Sequence, residues 1–350
     1  MRLNFIAGLC VALLMGTAVA QTNLTGAGAT FPSPIYTKWF SEYHNLYSDI
    51  QINYQAQGSG AGIRQLQAKT VDFGASDGPM SDEQLAATSF KVLHIPTVLG
   101  AVVPIYNLPG VNEPIRFTPN VLAGIFLGTI KKWNDPAIAK ANPKVKLPGA
   151  DLVVVHRSDG SGTTYIFTDY LSKVSEDWKK KVGKNVSVNW PVGLGGKGSD
   201  GVTGLVKQTE GSIGYVELTF ALQNKIAFGI VQNAAGQFVK ANMESTTAAA
   251  ASVKNMPADF RVSITNAPGK AAYPICSFTW LLIPVQWSDA GKKKVIVDFL
   301  TWMLSKGEAM AIPLDYAPLP KAVSEKVKAA IKQIQYSAGD TKAGLKKDGA

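Results

Sequence analysis

The stretch Val153–Thr164, with the sequence VVVHRSDGSGTT, constrains this chain more than any other. Its β-branched residues predict a strand that leads into an arginine and a small, glycine-rich turn. Phe167, Tyr170 and Leu171 then recur at helical spacing, which predicts an amphipathic helix after the turn. A strand, a tight turn and a helix start favour an anion site, because free backbone N–H groups and the helix dipole point out of the first helical turn.

The side chains of this turn also suit an oxyanion. Gly160 and Gly162 let the backbone approach a ligand closely. Ser161 and Thr163 add hydroxyl donors, and Arg157 adds a fork of N–H donors shaped for a tetrahedral oxyanion. The turn therefore predicts a set of donors that surround an anion.

Two other segments repeat the order of strand, small-residue turn and helix. Residues 24–34 predict a short strand that enters a turn at Thr30 and Phe31. Residues 50–55 alternate like a strand and end in a glycine-rich turn that contains Ser59. Each turn pairs a hydroxyl with helix-N-terminal amides, although helix capping is an alternative role for these hydroxyls.

Asp77 is the acidic member of this set, at the exit of a short strand over 71–76. A carboxylate beside an anion is repulsive unless the ligand carries a proton. Phosphate near neutral pH retains an O–H group that can donate to a carboxylate, whereas sulfate is fully ionised and would leave two acceptors facing each other. Asp77 therefore favours phosphate among oxyanions, with a helix-capping role as the alternative.

The N-terminal residues Met1–Ala20 have the pattern of a secretory signal peptide. Arg2 precedes a short apolar run, and A-V-A precedes the predicted mature N-terminus at Gln21. The run is shorter than the about 20 residues of a membrane-spanning helix. We therefore expect a soluble secreted protein, in which Cys276 remains as a buried cysteine without an internal disulfide partner.

Strands alternate with helices throughout, which predicts an α/β fold with ligands at the carboxyl ends of strands. The 350-residue chain exceeds what one core usually holds. Two long β-rich runs, over 92–106 and 273–285, suit a chain that leaves one domain, builds a second and returns. We predict one lobe from residues 21–97 and 273–350 and a second lobe from residues 98–272.

Other classes of function fit less well. The net charge of +10 comes from scattered lysines without interleaved aromatics, so we expect no nucleic-acid partner. Gly193–Gly198 fits G-x-G-x-x-G, but no strand is expected to lead directly into a long helix there, which argues against a dinucleotide site. Asp159–Thr163 lacks the outer glycines of a nucleophile elbow. Cysteine and histidine spacings typical of a metal site are missing from the sequence.

Several segments together resemble the family of periplasmic phosphate-binding proteins that serve high-affinity phosphate ABC transporters. The resemblance covers nearly all of the chain after the signal peptide and rests on residues 24–34, 58–62, 71–79, 157–163, 193–201 and 211–217. It implies the α/β two-lobed periplasmic binding protein fold of type II, with two crossover hinge strands and the ligand in the cleft between the lobes. It also implies a monomeric receptor without a cofactor or catalytic activity, which delivers phosphate to inner-membrane permease subunits.

The same resemblance implies the roles of the site residues. The donors to phosphate would be Thr30, the amide of Phe31, Ser59, Ser161, the amide of Gly162 and Thr163. Arg157 would pair with phosphate, Asp77 would accept a hydrogen bond from the O–H group of phosphate, and Asp159 would orient Arg157. The alternatives are a receptor for arsenate, sulfate or molybdate, and a secreted phosphate-ester hydrolase.

Overall fold

The computed structural model describes residues 21–337. The predicted signal peptide, Met1–Ala20, lies outside the described residues, as do residues 338–350. Within residues 21–337, no helix combines the length and the apolar composition needed to cross a bilayer.

Strands and helices alternate along the described residues, as predicted. The strands are β1 (Thr22–Gly28), β2 (Ile50–Ala56), β3 (Phe73–Ser76), β4 (Val92–Asn107), β5 (Arg116–Phe117), β6 (Val153–Arg157), β7 (Leu194–Gly196), β8 (Ser212–Glu217), β9 (Ala227–Phe228), β10 (Ile230–Gln232), β11 (Phe238–Val239), β12 (Cys276–Pro284), β13 (Gln286–Trp287) and β14 (Gln335–Tyr336). The helices are α1 (Ser33–Leu46), α2 (Ser59–Gln67), α3 (Asp82–Ala86), α4 (Pro119–Phe126), α5 (Pro136–Ala141), α6 (Gly162–Val174), α7 (Glu176–Lys181), α8 (Gly198–Gln208), α9 (Leu218–Gln223), α10 (Met243–Ala250), α11 (Ala290–Trp302) and α12 (Lys321–Ile331). A π-helical turn (Met303–Gly307) and two 3-10 turns (Glu308–Met310 and Ile312–Leu314) follow α11.

The main sheet runs in the order β2-β1-β3-β12-β4-β8-β6-β7, with β9 added beside β4. Strand β1 is parallel to β2 and β3, and β6 is parallel to β7 and β8. Parallel neighbours bring their carboxyl ends to the same edge of a sheet. Helices α1, α2, α6 and α8 follow β1, β2, β6 and β7 in the chain, so their N-termini lie at the two carboxyl edges.

The two long β-rich runs are confirmed as strands, and they join the halves of the sheet. From Val92 to Ala101, β4 pairs with β12, and from Val102 to Asn107 it pairs with β8. Strand β12 begins at Cys276 opposite Ala101. The two long strands therefore lie side by side where the sheet passes from one half to the other.

A break in register interrupts the pairing of β4 with β12 beside Pro96. Trp280 pairs with Pro96 and Thr279 pairs with Val98, so Thr97 is the extra residue of a β-bulge. A proline in an interior strand is tolerated at such a bulge because its missing N–H is not needed there. The hydroxyl of Thr97 donates to the carbonyl of Thr279 at 3.2 Å, which ties the bulge to β12.

Two predictions about local structure are wrong. The glycine-rich region after Gly193 forms β7 followed directly by α8, although no such strand and helix were expected. The run of small residues over 246–252 predicts a mobile stretch, but most of it lies in α10. Asn242 explains that helix, because its side chain accepts from the amide of Ser245 in a capping box.

Candidate anion-binding site

Four strand-turn-helix units meet at the site, one more than the sequence predicted. The turns before α2 and α6 touch directly, because the amide of Gly60 donates to the carbonyl of Gly160 at 2.8 Å. The turns before α1 and α8 meet through Thr30 and Ser199, whose hydroxyl oxygens are 2.9 Å apart. In this way, the N-termini of helices from both halves of the sheet face one another.

Ser59 is the first residue of α2 and is completely buried. Its hydroxyl oxygen accepts from the amide of Asp77 at 3.2 Å. The N-cap position of α2 belongs to Gly58, which has a φ of 93° and offers no side chain. The capping alternative for Ser59 is therefore wrong, because its hydroxyl interacts with Asp77 instead.

Asp77 lies at the centre of the described site and is 1% exposed. The hydroxyl of Thr279 donates to its Oδ1 atom at 2.8 Å. Burial raises the pKa of Asp77 to about 7, although the Thr279 hydrogen bond, the charge of Arg157 and the hydrogen bond with Ser59 each act to lower it. Near neutral pH the Asp77 carboxyl can thus either hold a proton or accept one. Asp77 does not cap α3, because the N-cap of that helix is Ser81, whose side chain accepts from the amide of Gln84.

Gly162 starts α6 and lies against Asp77 and Ser59 from the other half of the sheet. A Cβ atom at this position would be 2.5 Å from Asp77 Oδ2 and 2.5 Å from Ser59 Oγ. Only a glycine fits here without a shift of these neighbours. Its amide belongs to the first turn of α6, where N–H groups lack partners within the helix.

Arg157 ends β6 and is 4% exposed. Its Nε and Nη2 atoms donate to the two carboxylate oxygens of Asp159 at 2.7 and 2.5 Å, a bidentate pair. Burial acts to raise the pKa of Asp159, but the hydrogen bonds and charge of Arg157 and the amide of Gly198 outweigh it, so the pKa is lowered. Asp159 therefore stays ionised and holds the guanidinium plane, while Nη1 of Arg157 lies 3.5 Å from the hydroxyl of Thr163.

Ser161 and Thr163 flank Gly162 at the start of α6, and both are buried. Ser161 is the N-cap of α6, because its Oγ atom accepts from the amide of Thr164 at 3.1 Å. A hydroxyl that accepts in this way still has its own proton to donate. The capping role and a donor role are compatible for Ser161.

Thr30 and Phe31 form the turn before α1. Thr30 does not cap α1, whose N-cap is Pro32 without a side-chain hydrogen bond. Instead, its hydroxyl oxygen accepts from the amide of Ser199 at 3.3 Å. Phe31 contributes its backbone only, since its buried ring packs beside Tyr316 with a centroid distance of 6.3 Å.

Sequence reasoning missed two residues of this site. Ser199 lies in the first turn of α8 and bridges to Thr30, and the glycine-rich spacing around it was the available indication. Thr279 is a buried polar residue inside the apolar strand β12, and this polarity was its indication. The structure places both beside residues that the sequence had singled out.

Helix N-termini from two halves of one long sheet, which enclose buried polar groups between them, define a periplasmic binding protein with the two-lobed type II fold. A family model described as the PBP superfamily domain matches residues 16–306. The phosphate-binding protein PstS of Xylella fastidiosa (strain Temecula1) is 47% identical over 312 residues, which are 88% of this chain and 85% of that protein. The chain belongs to this family, the PstS phosphate-binding proteins.

Two further comparisons agree with this assignment. The phosphate-binding protein PstS of Pasteurella multocida is 46% identical over 328 residues, which cover 93% of this chain and 94% of that protein. The crystal structure of a human phosphate-binding apolipoprotein superposes with a TM-score of 0.70 at 21% identity, over 87% of this chain and 93% of that chain. At this low identity the human protein demonstrates a shared fold.

Proposed function

We propose that this protein is a periplasmic receptor that captures one inorganic phosphate between its two lobes and hands it to an ABC permease. One observation carries the proposal: Asp77, buried and with a pKa of about 7, lies among hydrogen-bond donors from both lobes. A site made only of donors suits any oxyanion. A single buried acceptor favours an oxyanion that brings its own proton, as phosphate does near neutral pH.

The proposed contacts follow the geometry of the turns. The guanidinium of Arg157 pairs with phosphate, and Asp159 holds its plane. Asp77 accepts a hydrogen bond from the O–H group of phosphate. The amides at the starts of α1 and α6 face the anion along the helix dipoles. The proposed donors are the hydroxyl and amide of Thr30, the amide of Phe31, the hydroxyls of Ser59, Ser161 and Thr163, and the amide of Gly162.

Capture depends on closure of the lobes in this proposal. Thr30, Phe31, Ser59 and Asp77 lie on one lobe, and the donors around Arg157 lie on the other. We place the two crossings at 101–102 and 275–276, where β4 exchanges β12 for β8, a few residues beyond the predicted boundaries at 97–98 and 272–273. Phosphate stabilises the closed form because it binds residues of both lobes at once.

Delivery is the step that follows capture. A closed receptor presents one continuous surface from both lobes, which the permease subunits in the inner membrane recognise. The predicted signal peptide supports export to the periplasm, and the relatives named above support a receptor rather than an enzyme. We propose that the receptor acts as a monomer.

Calorimetric titration of the mature protein, stripped of bound phosphate, tests the proposal. We expect tight one-to-one binding of phosphate and no heat with sulfate. Equal binding of the two anions contradicts the role of Asp77, and binding of neither contradicts the receptor function. Sustained hydrolysis of a chromogenic phosphoester, lost in Ser161→Ala, would support the hydrolase alternative instead.

A further inference from the structure

Thr279 contacts the acidic group of the site from outside the predicted set of residues. It lies in the middle of β12, is fully buried, and donates its hydroxyl proton to Asp77 Oδ1 across 202 positions of sequence. Its neighbour Trp280 pairs with Ser76, the residue before Asp77, so the sheet itself sets the distance between the two side chains.

The Thr279 hydrogen bond makes the two oxygens of Asp77 different. Oδ1 receives the Thr279 hydroxyl, whereas Oδ2 faces Gly162 at the start of α6. The bulge residue Thr97 helps to fix β12 beside the carboxylate, because its hydroxyl donates to the carbonyl of Thr279. Tyr36 in turn contacts Thr97, with its hydroxyl 3.0 Å from Thr97 Oγ1.

We propose that Thr279 determines anion specificity by occupying Oδ1 of Asp77 and orienting the carboxylate, so that Oδ2 faces the ligand and accepts a hydrogen bond from its O–H group. The inference rests on the proposed function, because it assumes that Asp77 accepts from phosphate. Thr279 acts through Asp77 and is a positioning residue. Its hydroxyl has two effects: it orients the carboxylate, and it stabilises the charged form of a group that burial pushes towards the neutral form.

The effect of the Thr279 hydroxyl on the protonation of Asp77 can be followed in a pH titration, given the charged and titratable groups around Asp77. Arg157 faces Asp77 from β6, and its charge acts to lower the pKa of Asp77. Tyr36, Tyr54 and Tyr316 also interact with Asp77, and burial raises the pKa of each, so all three are neutral near pH 7. Compared with these three tyrosines, Asp77 is the group whose pKa lies near neutral pH.

The variant Thr279→Val keeps the volume of the side chain and removes the hydroxyl. Without that hydrogen bond the pKa of Asp77 rises further, so a larger fraction of the carboxyl is protonated and becomes a donor. We expect phosphate affinity at pH 7.5 to fall about tenfold, which is the lower end for loss of a hydrogen bond to a charged group. Sulfate binding should become detectable, because sulfate only accepts hydrogen bonds and a protonated Asp77 can donate one.

The experiment is a calorimetric titration of the phosphate-free protein with phosphate and with sulfate, between about pH 5.5 and 8.5. Sulfate does not titrate in this range, so its profile reports the protein, and comparison with the wild type cancels the ionisation of phosphate itself. We expect the pH at which phosphate affinity declines on the acid side to move higher in Thr279→Val, and sulfate heat, which we do not expect for the wild type, to appear. Thr279→Ser should restore the wild-type profile and the rejection of sulfate because it restores the hydroxyl.

Ser277→Ala is the matched control, because Ser277 is a buried hydroxyl residue two positions earlier on β12. It should leave phosphate affinity, its pH dependence and the rejection of sulfate unchanged. An unmoved phosphate profile in Thr279→Val, or weaker phosphate binding without detectable sulfate binding, overturns the inference and assigns Thr279 a structural role. If Thr279→Val does not fold, Thr279→Ala is judged by the same two measurements. Failure of the wild type to bind phosphate would instead contradict the proposed function.

Discussion

The backbone of Gly162 lies so close to the carboxylate of Asp77 that an added Cβ would be 2.5 Å from Oδ2. We therefore expect Gly162→Ala to weaken phosphate binding about tenfold to hundredfold, the effect of a typical overpacking of 1–3 kcal/mol. In the proposed division into lobes the two residues lie on opposite lobes, so the strain would fall on the closed form. Gly204→Ala in α8 is the control, because its Cβ would meet no atom within 4 Å. Calorimetry of both variants checks this, and normal affinity in Gly162→Ala would contradict the closed geometry.

Replacement of Asp77 by asparagine tests the selection between anions. The carboxamide keeps the shape of the side chain but offers an N–H donor, so Asp77→Asn should bind sulfate measurably and phosphate more weakly. The expected change in the ratio of the two affinities is at least tenfold, because an unpaired buried acceptor costs about 1–3 kcal/mol. Competition titrations with both anions measure this ratio. Continued rejection of sulfate by Asp77→Asn would remove Asp77 from the selection.

The pKa of Asp77 also predicts how stability changes with pH in the phosphate-free protein. Its value rises from 3.8 to about 7 on folding, so the folded state holds the extra proton between these limits. The contribution of Asp77 to stability then falls as pH rises through this window and is constant above it. Across this window, the free energy of unfolding of the wild type should fall by on the order of 4 kcal/mol relative to that of Asp77→Asn, which has no titrating carboxyl at this position. Urea unfolding of both proteins across the window checks it, and parallel stability curves would show that Asp77 has an ordinary pKa.

Asp159→Asn should weaken binding without altering selection between anions. The variant loses one of two charge-assisted contacts that hold the buried guanidinium of Arg157, which is worth about 1.5–3 kcal/mol, or roughly tenfold to hundredfold in affinity. In Asp77→Asn the two anions respond differently, whereas here phosphate and any weakly bound analogue weaken together. Asp151→Asn is the control, since Asp151 pairs with Lys132 at an exposed site where ion pairs contribute about 0–1 kcal/mol. A change in selectivity with unchanged phosphate affinity would contradict this role.

Ser199→Ala tests the contact between the lobes that involves α8. The hydroxyl of Ser199 lies 2.9 Å from that of Thr30, and its loss should reduce phosphate affinity about threefold to tenfold, as expected for a neutral hydrogen bond of about 1 kcal/mol. Thr203→Val is a control on the same helix. Thr203 has a buried hydroxyl without a partner among the described residues, so its removal should not weaken binding. Equal effects of the two variants would indicate a general effect on α8.

Much of the fold was readable from side-chain periodicity. The buried stripe of α1, which includes Trp39 and Tyr43, and the long strands β4 and β12 agree with the predicted elements. Strand β7 was missed because Leu194–Gly196 is nearly all glycine and has no side-chain pattern to read. Helix α10 was missed because a run of small residues is as typical of a loop as of a helix. The feature that distinguishes the two here is the capping box of Asn242 and Ser245.

For the candidate site, too, the sequence predicted some features and the tertiary structure determined the others. The sequence by itself determined which groups could meet an anion, because hydroxyls and glycines before predicted helices, an arginine after a strand and an acidic strand exit are local patterns. Only the tertiary structure decided what these groups do. The pairing of β12 with β3 brings Thr279 to Asp77, and the meeting of α1 with α8 turns Thr30 from a cap into a partner of Ser199. Burial, which raises the pKa of Asp77, is likewise a property of the assembled lobes, because desolvation depends on all the atoms that exclude water from a group.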